Sequence, residues 1–91
     1  DSIAKADIMQ LASLQVKNPA TGKMLKPVSF EMVLSHKGMV VKSTCYGAHI
    51  TNEAAINKIA PKMASGDLVF LDSLKFAEMV YNQQVVFIVK E

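Results

Sequence analysis

The chain has no arginine, no tryptophan, one cysteine, three prolines and four glycines in 91 residues. Each shortage closes off a class of function. Without arginine there is no planar fork to hold phosphate bidentately. Ten scattered lysines against eight carboxylates leave a net charge of +2, too small and too mixed for a nucleic-acid footprint. With no tryptophan and only six other aromatic residues, little remains on which bases could stack. A lone cysteine cannot close an internal disulfide, which fits a reducing compartment or a periplasmic domain that does without bridges. No apolar run approaches the ~18 residues that a membrane-crossing helix requires. The opening "DSIAKADIMQ" has neither the basic start nor the apolar stretch of a secretory signal, and it does not begin with Met. The expectation is a piece cut from a longer protein, with residues 1–10 as the linker that leads into it.

What is present is apolar. Hydrophobic residues make up 51% of the chain, enough for a packed core in one domain spanning 1–91. A domain of this size buries roughly 60–65% of its unfolded surface, so its stability is limited. "VSFEMVLS" alternates strictly, with Val28, Phe30, Met32 and Leu34 on one side. "HKG" and the β-branched "MVVKSTCY" follow, so Val28–Tyr46 reads as a β-hairpin. A three-residue loop with a bulge, and Gly38 in the left-handed region, would join its strands. Thr51 reads as a helix N-cap, with Glu53 in the first turn and Ile56, Ile59 and Met63 on one stripe. Pro61 should kink or divide that helix, placed at 51–64, and Gly66 should end it. "LVFLDSLKF" and "VVFIVK" read as strands, with the intervening "AEMVYNQQ" extending both and turning near Asn82. A short helical turn over Ser2–Met9 capped by Ser2, and a weak strand over Leu11–Val16, complete the outline. The expected class is α+β, mainly β: a small antiparallel sheet or sandwich-like domain of about five strands with one helix.

The last strand is apolar on both faces, and such a run is either central in its sheet or covered by another chain. The side chains that carry chemistry are sparse. Cys45 and His49 stand four residues apart along an extended path, up to ~13 Å, and a thiolate nucleophile needs a base within hydrogen-bond reach. Cys45 is therefore read as a small buried hydrophobe, with Gly47 letting the chain leave the strand and His49 in the turn. His36 lies at the hairpin tip, far from Cys45, and no CxxC, HxH or HExxH spacing marks a metal site. Asp67, Asp72 and Glu78 fall around the strand after the helix as solvated edges rather than as an acid/base pair. No catalytic, cofactor-binding or metal-ligating residue is expected. Tyr46, Phe76, Met79, Tyr81, Val85 and Phe87 are the candidates for partner contact, because aromatic, Met and strand-end side chains serve as interface anchors.

Several stretches resemble a known family. "SIAKADIM" is similar to a lead-in segment of Ser/Ile, lysine, Ala and an acid. "VSFEMVLSHKGMVV" is similar to a hairpin with a Lys/Gly tip. "AHITNEAAINKIAPKMASGDLVFLDSLK" resembles a run of Asn-rich turn, "T-x-E/Q", helix, "L/M-x-x-G" and strand, and "VVFIVKE" resembles a closing strand. Together these resemble the C-terminal domain of GldM/PorM-type shaft proteins of bacterial gliding motility and type IX secretion. Two stretches depart from that pattern: "AEMVYNQQ" stands where the family often has a Gly-Pro-Asp-Gly turn, and "TCYGAH" where it has a Ser/Asn-rich one. The resemblance implies a non-enzymatic structural and protein-interaction domain without cofactors. It further implies a periplasmic location, an upstream helix anchored in the inner membrane, a homodimer in the full-length protein, and contact with an outer-membrane-associated ring of lipoprotein and partner subunits. A β-rich adhesion or ligand-binding module of a surface protein is the alternative.

Overall fold

Alternation along one hairpin organises the fold. In the computed structural model, which describes all residues except Ala48, Glu78 and Glu91, β4 (Ser29–His36) pairs antiparallel with β5 (Met39–Tyr46) from Ser29↔Tyr46 to His36↔Met39. Phe30, Met32 and Leu34 are buried on one face of β4, as their period of two requires. Val28 precedes the strand and is exposed. The connecting loop has two residues, not three. His36 and Met39 pair directly, and Lys37 and Gly38 both have positive φ, 47° and 79°. That is the signature of a type I′ turn, whose twist matches the strands better than a bulged loop does.

β7 (Leu68–Lys75) pairs antiparallel with the other edge of β4, and β9 (Val85–Lys90) pairs antiparallel with β7. Short strands complete the sheet: β1 (Ser2–Ala4) runs parallel beside β9, β6 (His49–Ile50) lies on β5, and β8 (Val80–Tyr81) returns along β7. The order is β1-β9-β7-β4-β5-β6. A separate ribbon, β2 (Val16–Lys17) with β3 (Met24–Leu25), stands apart. The α+β, mainly β class therefore holds. Among the described residues the expected five strands are nine, because five of them are only two or three residues long and lack a periodic signal of their own.

The helices cover one face of the sheet. A 3-10 helix (Lys5–Ser13), α1 (Glu53–Ile59) and a 3-10 turn (Ala60–Lys62) bring Ile8, Leu11, Ile56, Ile59 and Met63 into one core with Met32, Leu34, Val69 and Leu71. Burying each large apolar side chain is worth about 1.5–3 kcal/mol, so this layer provides most of the driving force.

Several local expectations give way to long-range contacts. Residues 1–10, expected as a linker, hold β1 and much of the 3-10 helix. Ile3 and Ile8 are buried, and Ile3 is in register with Val89. The helical turn with a Ser2 cap is therefore a strand followed by a helix that starts at Lys5. The first half of the weak strand over Leu11–Val16 is the end of that helix, and Val16 opens β2. Thr51 does not cap α1. Its backbone N–H donates to Thr44 O at 2.9 Å and its hydroxyl accepts from Thr44 N–H at 3.1 Å, so it is spent on β5. Asn52 occupies the cap position but donates Nδ2–H to Lys42 O at 3.2 Å. Pro61 does divide the helix, at the change from α to 3-10 geometry. The helical stretch stops at Lys62, and Gly66 belongs to the following turn, donating its N–H to Val89 O at 3.0 Å. The turn after β7 closes earlier than Asn82, with Phe76 N–H donating to Met79 O at 2.8 Å.

One irregularity steers the end of β7. Ser73 has φ +53°, and the β4–β7 register shifts there. The extra residue is a β-bulge that lets Leu74 turn inward after Leu71, where strict alternation would have faced it outward. A left-handed non-glycine residue costs about 1–2 kcal/mol, which the burial of Leu74 offsets.

Candidate functional site

The sheet has two apolar surfaces that the helices leave uncovered. The first is on the helix side, where the layer runs out. The 3-10 helix ends at Ser13, and beyond it, among the described residues, the β2–β3 ribbon lies over the inner face of β7 and β9. The gap is a cavity of about 560 Å³. The inner side chains of Leu71, Leu74, Val85 and Phe87 form its floor. Phe76, Met79 and Tyr81 form one wall, because the tight turn after β7 folds them back. Leu14, Val16, Leu25 and Pro19 close it from the ribbon, with Lys17 and Asn18 as its polar members. The volume and apolar lining are typical of small-ligand sites.

Five of the six expected partner residues, Phe76, Met79, Tyr81, Val85 and Phe87, come together in this cavity. Tyr46 does not. It lies at the end of β5, half exposed, opposite Ser29 and His49, and its ring stacks on that of His49 at 6.3 Å. The ribbon half of the cavity was expected only as the weak strand over Leu11–Val16, which contains Leu14 and Val16 but not Leu25. Its available signal was the apolar Leu14, Val16 and Leu25 spaced among lysines.

The second surface is the outer face of the sheet, which no described element covers. Successive partners in register place Ile88, Leu68, Ser35 and Val40 in one row, and Val86, Phe70, Val33 and Lys42 in the next. Val40 is 65% exposed, Ile88 50% and Val86 38%. The two-faced apolar run of the last strand thus divides: Val85, Phe87 and Val89 face inward, and Val86 and Ile88 face out. The next row changes character, with Glu31 opposite Asp72 and Thr44.

The remaining chemical side chains have structural surroundings. Cys45 is fully buried opposite Phe30 and Ile50, and burial pushes its thiol pKa up, away from the reactive thiolate. His49 pairs with Tyr46 on the opposite side of the strand, so Cys45 and His49 do not face each other. His36 Nδ1 lies 2.5 Å from Asp67 Oδ2, an oxygen that also accepts the Ala64 N–H at 2.7 Å. These bonds tie the tip of the β4–β5 hairpin to the start of β7. The Ala64 N–H first, and His36 next, hold the Asp67 carboxyl below its ordinary range. Asp72 lies on the outer face beside Glu31, and Glu78 lies outside the described residues. Among the described residues no three of His, Cys, Asp and Glu gather as a metal site, and no helix is long and apolar enough to cross a membrane.

Compared with known proteins, the chain matches no family model, no curated protein and no solved structure.

Proposed function

We propose that this chain is a non-enzymatic structural and protein-interaction domain, and that it forms the C-terminal tip of a periplasm-spanning dimeric shaft of the type IX secretion and gliding motility kind. The observation that carries the interaction reading is the open sheet face: Val40, Val86 and Ile88 exposed around the half-buried Leu68 and Phe70. Contiguous apolar area rimmed by polar residues marks a protein contact more often than free surface. The shaft reading adds the order of motifs from "SIAKADIM" to "VVFIVKE". In it, the partners are an outer-membrane-associated ring of lipoprotein subunits and, in the full-length protein, a second shaft chain. The anchor lies upstream, in the inner membrane.

The test is retention of defined components. The domain is used as bait on solubilised envelope, beside the same domain with Ile88→Lys and Val40→Lys. Recovery of ring lipoprotein by the parent and its loss with the double variant is the expected result. Equal recovery by both would remove the open face from the interaction, and recovery of no ring component would remove the shaft reading. A second reading, a ligand-binding module, is favoured by a separate observation, the apolar cavity beneath the ribbon.

A further inference from the structure

The cavity under the β2–β3 ribbon has a chemical bias that its volume alone does not convey. Its polar members are already engaged or at its rim. Asn18 Oδ1 accepts the Ala20 N–H at 2.9 Å, and the Tyr81 hydroxyl donates to Gln83 Oε1 at 3.0 Å. A peptide segment placed there would bring N–H and C=O groups to a lining with almost nothing to pair them, and unpaired buried amides are costly. An alkyl chain brings no such groups.

The ribbon above the cavity carries charge of one sign. Lys17 lines the cavity, and Lys23 and Lys26 are exposed on either side of β3. Between Asp7 and Glu31 there is no carboxylate. Val16 and Met24 are exposed on the ribbon, which pairs only through Val16↔Leu25 and Lys17↔Met24. A cover so lightly attached can part to admit a chain without disturbing the sheet below.

We propose that this cavity binds one alkyl chain of an anionic amphiphile, the chain lying between the ribbon and Leu71, Leu74 and Phe87 and the acidic head at Lys17, with Lys23 and Lys26 adding charge of the same sign from the ribbon. The inference rests on the ligand-binding reading of the cavity and is independent of the open sheet face. A free fatty carboxylate and the acyl chain of an anionic lipid share this chemistry.

The experiment titrates the 91-residue chain with dodecanoate, dodecanol and dodecyltrimethylammonium below their micelle concentrations, following amide shifts by NMR. The expected result is binding of dodecanoate, with shifts concentrated in residues 14–27 and 74–87. Affinity falls about tenfold in Lys17→Glu/Lys23→Glu/Lys26→Glu, the scale of a few lost surface charge contacts, while dodecanol binding is unchanged. Val16→Trp, which fills the cavity from the ribbon and leaves the sheet intact, abolishes binding of all three. Equal affinity for the three head groups overturns the anionic preference, and shifts elsewhere or none overturn the site. Binding to phosphatidylglycerol vesicles, compared with monomeric dodecanoate, assigns the source of the chain: retention on vesicles identifies a lipid, and its absence with dodecanoate bound identifies a free carboxylate. Ile88→Lys leaves dodecanoate binding unchanged, so failure of this inference and failure of the interaction reading are told apart.

Discussion

The chain contains two antiparallel ribbons of very different character. β4–β5 closes through a two-residue turn and pairs over eight residues in each strand. β2–β3 pairs two residues with two, around a turn in which Asn18 N–H donates to Lys23 O at 2.8 Å and Gly22 N–H to Asn18 O at 2.7 Å. The first is registered by its core face, because a slip of one residue would expose Phe30, Met32 and Leu34 together. The second has no buried residue in either strand and is held by its turn. Burial makes a ribbon part of the fold, whereas local hydrogen bonds alone make it a cover. The difference explains why the cavity lies beneath the second ribbon.

Paired substitutions sharpen the contrast. The largest effect is expected at the methionines: Met32→Ala, in the core, should cost about 2–5 kcal/mol in urea unfolding, while Met24→Ala on the exposed ribbon should stay within about 0.5 kcal/mol. Equal losses would show that the ribbon is integral to the folded core. The turns come next. Gly38 at φ +79° and Gly22 at φ +74° both sit in the left-handed region. Gly38→Ala should lower global stability by about 1–2 kcal/mol, whereas Gly22→Ala should leave the midpoint nearly still and instead hasten amide exchange over residues 18–25. A comparable midpoint shift from both would break the comparison.

The smallest effect is confined to acid. The β4–β5 ribbon is clamped at its tip by Asp67 on His36, and among the described residues the β2–β3 ribbon has no such side-chain clamp. Because the folded pKa of Asp67 is depressed, its contribution is complete above the unfolded carboxyl value of about 4 and is lost as pH falls through the folded value. Thermal midpoints should therefore decline below pH of about 4, and Asp67→Asn should flatten that decline. An unchanged acid limb would show that the clamp adds nothing to folding.

The same division decides what was legible in the sequence. β4, β5, β7 and β9 announce themselves by alternation or by β-branched runs, and their ranges follow closely. β1 exists because β9 lies beside it, and Thr51 fails as a cap because β5 holds it first. No local window contains either partner. In the cavity, the aromatic and apolar residues of the β7–β9 region were legible as candidate contacts because they cluster near strand ends. Their wall from the ribbon was not, since two-residue strands carry no period. The open face was half visible in "VVFIV": apolarity on both sides was plain, but the side left bare depends on where the helices pack.

The parallel placement of β1 beside β9 has a mechanical consequence. Ser2↔Ile88, Ile3↔Val89 and Ala4↔Lys90 run in the same direction. Tension applied between residue 1 and residue 90 therefore pulls the two strands along their shared axis in opposite senses. The pairing is strained in shear, so its hydrogen bonds must rupture together, where a terminal hairpin pulled open would peel one bond at a time. A domain stretched through its two ends would resist at this seam first, while the helical layer and the ribbon stayed slack.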